Sequence, residues 1–170
     1  MKAKPEHMTG LTGSTLVSKS HPRIQLRGKL DSLQAQVVLT QCDLQALGAD
    51  ETLLSHLQEI LTFLCEAARC EVLDAPFAKD SLLGLSFPAL REQSHNPQKY
   101  FGIKSMTLPD YHFGKPYALL NTLRAATRET ELAAVLAFQS EDGTARPDLI
   151  TALNRLSSAL HVLMCREMSK

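Results

Sequence analysis

The sequence predicts an all-α protein, a bundle of helices around one core. Three segments carry apolar residues at steps of three and four, the spacing of one buried helical face. Turn-forming residues separate these segments. No stretch combines sustained alternation with β-branched enrichment, so no strand is expected. Four or five helices with one elaborate connection follow, read as a five-helix bundle.

The first stripe runs through Leu30, Leu33, Val37, Leu44 and Leu47, with Thr40 at its one polar step. Gly48-Ala49-Asp50 breaks it, and Asp50 is placed to cap the next helix. Leu53, Leu57, Ile60, Leu64 and Ala67 repeat the spacing, Val72 closes it, and Pro76 ends the region. Residues 77–115 are less regular. A short helix over 81–93 is interrupted by Pro88. A long helix over 117–139 starts behind Pro116. Asp142-Gly143 turns the chain, and Arg146-Pro147-Asp148 opens the last helix, with Leu149, Leu153, Leu156, Leu160 and Leu163 as its stripe. Residues 1–28 are rich in Gly, Ser, Thr and Pro and read as a loop segment. Residues 29–170 form the bundle, and the whole is one domain.

Composition narrows the function. The 170 residues suit a single domain, and 44% hydrophobic residues supply a core. Eighteen basic and 18 acidic residues balance to +0. That removes the electrostatic case for nucleic acid or an anionic membrane. No apolar run approaches the ~20 residues of a membrane span. The first residues lack the apolar segment of a secretory signal, so the expected compartment is the cytoplasm. Cys42, Cys65, Cys70 and Cys165 form no C-x-x-C pair and read as free thiols.

The long helix carries Arg124, Arg128 and Glu131, which lie within about 60° around its axis, with Asn121 beside Arg128. Two guanidiniums on one stripe match the oxygens of a polyphosphate. A solvated face with an Arg–Glu pair is the competing reading. On the last helix Asn154, Ser158 and His161 share a face. Backbone amides of the loop holding Thr9 and Gly10 suit a phosphate, with Lys19 as a point charge, although no Walker motif occurs. Asp31 either favours its helix N-terminus or pairs with an arginine. Tyr100, Phe101, Tyr111 and Phe113 sit among prolines, glycines and histidines in the long connection. Such loops line sites or merely pack.

Together these segments resemble the ethanolamine-utilization corrinoid adenosyltransferases, from about Thr9 to Met168. The resemblance rests on Ser18-Lys19-Ser20-His21-Pro22-Arg23-Ile24 followed by Arg27-Gly28-Lys29-Leu30-Asp31, and on Ser94-His95-Asn96-Pro97 with Tyr100. It rests also on Asn121 with Leu123-Arg124 and Arg128-Glu129-Thr130-Glu131, and on Arg146-Pro147-Asp148 with Leu153-Asn154-Arg155-Leu156-Ser157-Ser158. Each motif is short; their order and spacing carry the specificity.

The resemblance implies a homotrimer with active sites between subunits. It implies that ATP gives its 5′-deoxyadenosyl group to cob(I)alamin and releases triphosphate. Asp31, Arg124 and Arg128 take the catalytic roles, Asp31 and Arg124 as a pair bridging subunits and Arg128 on phosphate. Lys19, Thr9 and Gly10 of the N-terminal segment hold ATP, with Glu131 and Asn154 close to the nucleotide. Tyr100, Phe101, Tyr111 and Phe113, near Met106, are candidates for the apolar wedge below the corrin. Where the wider family often has a second arginine, this chain has Glu129. The upstream His/Cys metal cluster of some members is absent from this sequence, so Mg²⁺ carried by ATP is the expected metal and no protein-ligated one. A reductase supplying Co(I), an adenosylcobalamin-dependent ammonia-lyase and a bacterial microcompartment are the implied partners and setting. A non-catalytic corrinoid-binding or interaction protein on the same bundle is the alternative.

Overall fold

The structure, a computed structural model, describes residues 4–104 and 107–169. Met106 lies outside the described residues. The chain runs through β1 (Met8–Gly10), β2 (Leu16–Ser18), α1 (Pro22–Ala46), α2 (Glu51–Val72), β3 (Ser81–Leu82) and β4 (Leu85–Ser86). It continues through α3 (Phe87–His95), α4 (Pro97–Phe101), a 3₁₀ turn (Tyr111–Phe113), α5 (Gly114–Ala137), β5 (Gln139–Ser140), β6 (Gly143–Thr144) and α6 (Pro147–Met168).

Side-chain contacts fix the helix directions. Gln41 meets Gln58, and Arg27 meets Glu71, so α1 and α2 run antiparallel. Lys29 meets Glu129 and Lys115 meets Asp43, so α5 is antiparallel to α1. Asn154 bonds Glu131 while His161 shares a cleft with Arg124, and His56 lies against Arg166 while Arg146 reaches the Cys70 carbonyl, which sets α6 antiparallel to α5 and α2. The four long helices therefore form an up-down square, with α3 laid on α6.

The predicted stripes are the core. Leu30, Leu33, Val37 and Leu44 are buried, and Thr40 fills the polar step at 4% exposure. Leu53, Leu57, Ile60, Leu64 and Ala67 are buried, as are all five leucines of the α6 stripe. Asp50 caps α2 by accepting from the Thr52 amide at 2.7 Å. Leu47 and Val72 instead face outward, because α1 ends at Ala46 and Val72 is the last residue of α2.

Four expectations are corrected. The described residues include three two-stranded antiparallel hairpins, so the chain is mainly helical rather than free of strands. Each is only two or three residue pairs long, too short to leave an alternating pattern. The described residues hold six α-helices, since the irregular connection supplies both α3 and α4. α1 starts at Pro22, inside the segment expected to be a loop; His21 Nδ1 accepts from the Arg23 amide, and Pro22 sits where a missing N–H costs nothing. Pro88 does not interrupt a helix: it lies in the first turn of α3, capped by Ser86, while residues 81–86 form a hairpin. That hairpin turns through Leu83 and Gly84, at φ 58° and 72°, the left-handed pair of a tight hairpin turn.

Among the described residues, no helix is long and apolar enough to cross a membrane.

Candidate functional site

Where α5 and α6 meet the end of α3, a cleft of about 270 Å³ opens. α5 contributes Arg124 and Arg128, one turn apart; α6 contributes Asn154, Arg155, Ser157, Ser158 and His161; α3 contributes Ser94 and His95. The wall is polar and cationic, in a chain of zero net charge.

Its three arginines lack carboxylate partners among the described residues. Arg124 donates from Nε and Nη2 to Asn121 Oδ1, at 3.1 and 2.9 Å. Arg128 is exposed and makes no ion pair among the described residues. Arg155, 8% exposed, donates from Nη2 to Asn154 Oδ1. Burial, with the charge of Arg91 added, lowers the Arg155 pKa against the opposing pull of Glu131. Burial, then Arg124, then His95 lower the pKa of His161. A wall of this kind lacks negative charge, and forked guanidiniums suit an anion with several oxygens.

Of the residues singled out in the sequence, Arg124, Arg128, Asn154, Ser158 and His161 meet here. Glu131 stands just outside, where its Oε1 accepts from Asn154 Nδ2 at 2.7 Å and so aims the amide. Glu129 faces α1 and pairs with Lys29 at 2.8 Å, so it does not intrude on the cleft. Arg155 and His95 carry no role in the sequence reading. Arg155 follows Asn154 on a helix turned almost wholly inward, and its access to the cleft depends on how α3 and α5 frame α6.

Thr9, Gly10 and Lys19 do not line the cleft. Thr9 and Gly10 lie in β1, paired with Val17 and Leu16; Lys19 follows β2, and its amide donates to His7 O at 2.8 Å. Asp31 is exposed on α1 and, among the described residues, makes no ion pair with Arg124 or any other group. One chain alone does not bring these residues to the arginines.

Beside the cleft lies a small apolar chamber of about 40 Å³, walled chiefly by Pro97, Ile103, Tyr117, Met164 and Met168. His161 borders both spaces. None of the four aromatics singled out lines the chamber. Phe113 packs edge-on against Tyr117, at 4.9 Å between centroids. Tyr111 is 82% exposed. Tyr100 and Phe101 sit side by side in α4, 6.4 Å apart. Cys165, also on the chamber wall, has its thiol pushed up to about 11 by burial and is unreactive at neutral pH. Among the described residues, no three His, Cys, Asp or Glu side chains gather as a metal site.

Comparison with known proteins is consistent across the chain. The sequence model of the family described as Cobalamin adenosyltransferase matches residues 1–167. The corrinoid adenosyltransferase EutT of Salmonella typhimurium strain LT2 is 36% identical over 168 residues, 98% of this chain and 61% of that protein. The protein of the same name from Escherichia coli strain K12 is 35% identical over the same shares. The chain thus spans 61% of the length of the curated relatives it matches.

Proposed function

We propose, on the premise that the chain belongs to the cobalamin adenosyltransferase family, that it transfers the 5′-deoxyadenosyl group of ATP to the cobalt of cob(I)alamin. The observation that carries this reading is the cleft in which three arginines converge without carboxylate partners among the described residues. In the transfer, the corrinoid cobalt supplies the electron pair. A cobalt–carbon bond forms at C5′, the C5′–oxygen bond breaks, and triphosphate leaves with that oxygen. The chain need supply no nucleophile. Its tasks are to bind, to orient and to neutralise the leaving charge.

Arg128 and Arg124 take the phosphates from α5, and Arg155 from α6. Asn154, aimed by Glu131, positions the nucleotide. Mg²⁺ accompanies ATP and is bound by its phosphates. Lys19, Thr9 and Gly10 act on the same ATP from the hairpin, and Asp31 pairs with Arg124. Both statements require a second copy, which puts the sites between subunits; the family resemblance makes the active unit a homotrimer. The separation of hairpin and cleft within one chain supports this. Phe113, through Tyr117, and the pair Tyr100–Phe101 are the apolar groups nearest the corrin face. The name EutT of the relatives fits a role in ethanolamine utilization; on that reading a reductase supplies Co(I), an adenosylcobalamin-dependent lyase is the consumer, and the setting is the cytoplasm at a microcompartment.

The test is an anaerobic optical assay with cob(I)alamin, ATP and Mg²⁺. Wild type should convert the Co(I) spectrum to the light-sensitive adenosylated form. Arg128→Ala should lose on the order of a hundredfold in kcat/KM, about 3 kcal/mol for a charged phosphate contact. Because Arg128 is exposed and makes no ion pair among the described residues, its loss should leave the melting temperature unchanged. A wild type that gives no ATP-dependent conversion would leave corrinoid binding without catalysis as the reading.

A further inference from the structure

The side chain of Glu71, in the last turn of α2, is fully buried and held by two arginines of α1. Arg23 Nε donates to Oε1 at 2.6 Å, and Arg27 Nε donates to Oε2 at 2.5 Å. These arginines are four residues apart and so share a helix face. Each then reaches further. Arg23 Nη2 donates to Glu71 O at 2.7 Å and to Asp74 Oδ1 at 2.8 Å. Arg27 Nη2 donates to Leu11 O at 2.8 Å.

The Leu11 carbonyl lies at the turn between β1 and β2. A hairpin with three residue pairs does not hold its own position. Its base is tied where Lys19 N meets His7 O and the chain enters α1. Its tip is tied to the bundle through Arg27. A buried carboxylate with both oxygens taken by guanidiniums is a rigid anchor, because displacing either partner leaves charge uncompensated away from water. The order of attachment is therefore Glu71, then Arg27, then the Leu11 carbonyl.

We infer that Glu71 and Arg27 are positioning residues for the N-terminal hairpin and, through it, for the Thr9, Gly10 and Lys19 contacts to ATP. The link to ATP rests on the proposed function; the anchoring of the hairpin does not. Neither residue touches substrate. They act by presenting the hairpin already ordered, so that ATP binding need not order it.

Arg27→Lys separates the two roles of Arg27. The lysine keeps a positive charge for Glu71 but lacks the fork that reaches Leu11 O at the same time. In the full-length chain, amide exchange over residues 8–18 should speed up about tenfold, as expected for one lost hydrogen bond to a charged donor, while α2, α5 and α6 keep wild-type protection. KM for ATP should rise about tenfold with kcat within about twofold, the signature of lost pre-organisation rather than lost chemistry. Glu71→Gln should shift both quantities in the same direction.

Unchanged exchange over the hairpin in Arg27→Lys overturns the anchor. Faster exchange with an unchanged KM for ATP overturns its part in nucleotide binding. If wild type binds ATP without turnover, the functional reading falls and the anchor's part in nucleotide binding is judged on the Kd for ATP. A wild type that binds no ATP overturns the functional reading and the hairpin's part in nucleotide binding, and the anchor then stands or falls on the exchange over residues 8–18.

Discussion

Asp148, at the entry of α6, shows how one carboxylate ties separate parts of the chain together. Arg146 Nε and Nη2 donate to its two oxygens at 2.9 Å, and the Phe77 amide donates to Oδ2 at 2.9 Å. Arg146 also reaches the Ala75 carbonyl at 2.8 Å, so α6, β6 and the segment after α2 close on one another. The Arg146 hydrogen bonds, against the opposing effect of burial, hold Asp148 down at about 2. The folded value is below the unfolded one, so the stabilisation is complete above the ordinary aspartate range near 3.8 and is lost as pH falls through about 2. Asp148→Asn should cost about 2 kcal/mol in urea unfolding at pH 7. The gap from wild type should close steadily between about pH 4 and pH 2. A gap independent of pH would show that the carboxylate's charge is not what stabilises the junction.

At the scale of elements, α5 and α6 share the longest contact in the molecule and also frame the cleft. Leu123 is fully buried between Asn121 and Arg124, so truncating it should loosen the helix that carries two of the arginines. Leu123→Ala should cost about 3 kcal/mol in chemical denaturation, and ATP affinity should fall with it. A loss below about 1 kcal/mol would mean that the site collapses around the gap. The long helices were legible in the sequence because each buries one stripe, and a stripe is a local pattern. The hairpins were not, because two or three residue pairs cannot establish a period of two. The early start of α1 had a signal in His21-Pro22 followed by Leu26, but the Gly/Ser/Thr composition just upstream outweighed it. In the cleft, the spacing of Arg124 and Arg128 was readable along one helix. The third arginine, Arg155, and the α3 wall were not, since they reach the site only through the packing of α3 and α5 on α6.

At the scale of the whole molecule, apolar surface remains where a partner would cover it. α5 exposes Leu132 and Leu136, each 65% accessible, and α1 exposes Leu39 at 63%. Single exposed leucines are ordinary, but α5 shows Leu132, Val135 and Leu136 on one side of its last two turns. The hairpin and the arginines lie apart in one chain, which calls for more than one copy, and the family resemblance makes a homotrimer the expected assembly. Sedimentation should give a mass about three times the 18.7 kDa of the chain. Lys19→Ala and Arg128→Ala copies, each impaired alone, should recover activity when unfolded together and refolded as a mixture, because some interfaces then join an intact hairpin to an intact cleft. No recovery on mixing would place the whole site within one subunit.

The unpaired guanidiniums of the cleft also bear on the end of the reaction. On the proposed reaction, a wall that stabilises triphosphate as it departs binds the same triphosphate once it is free, and among the described residues no carboxylate forms an ion pair with its arginines. Turnover on the proposed reaction then divides into a rapid first cycle and slower later ones, each waiting for a polyanion to escape. Salt has two opposite effects on that rhythm: it weakens the entry of ATP and speeds the exit of the inorganic product.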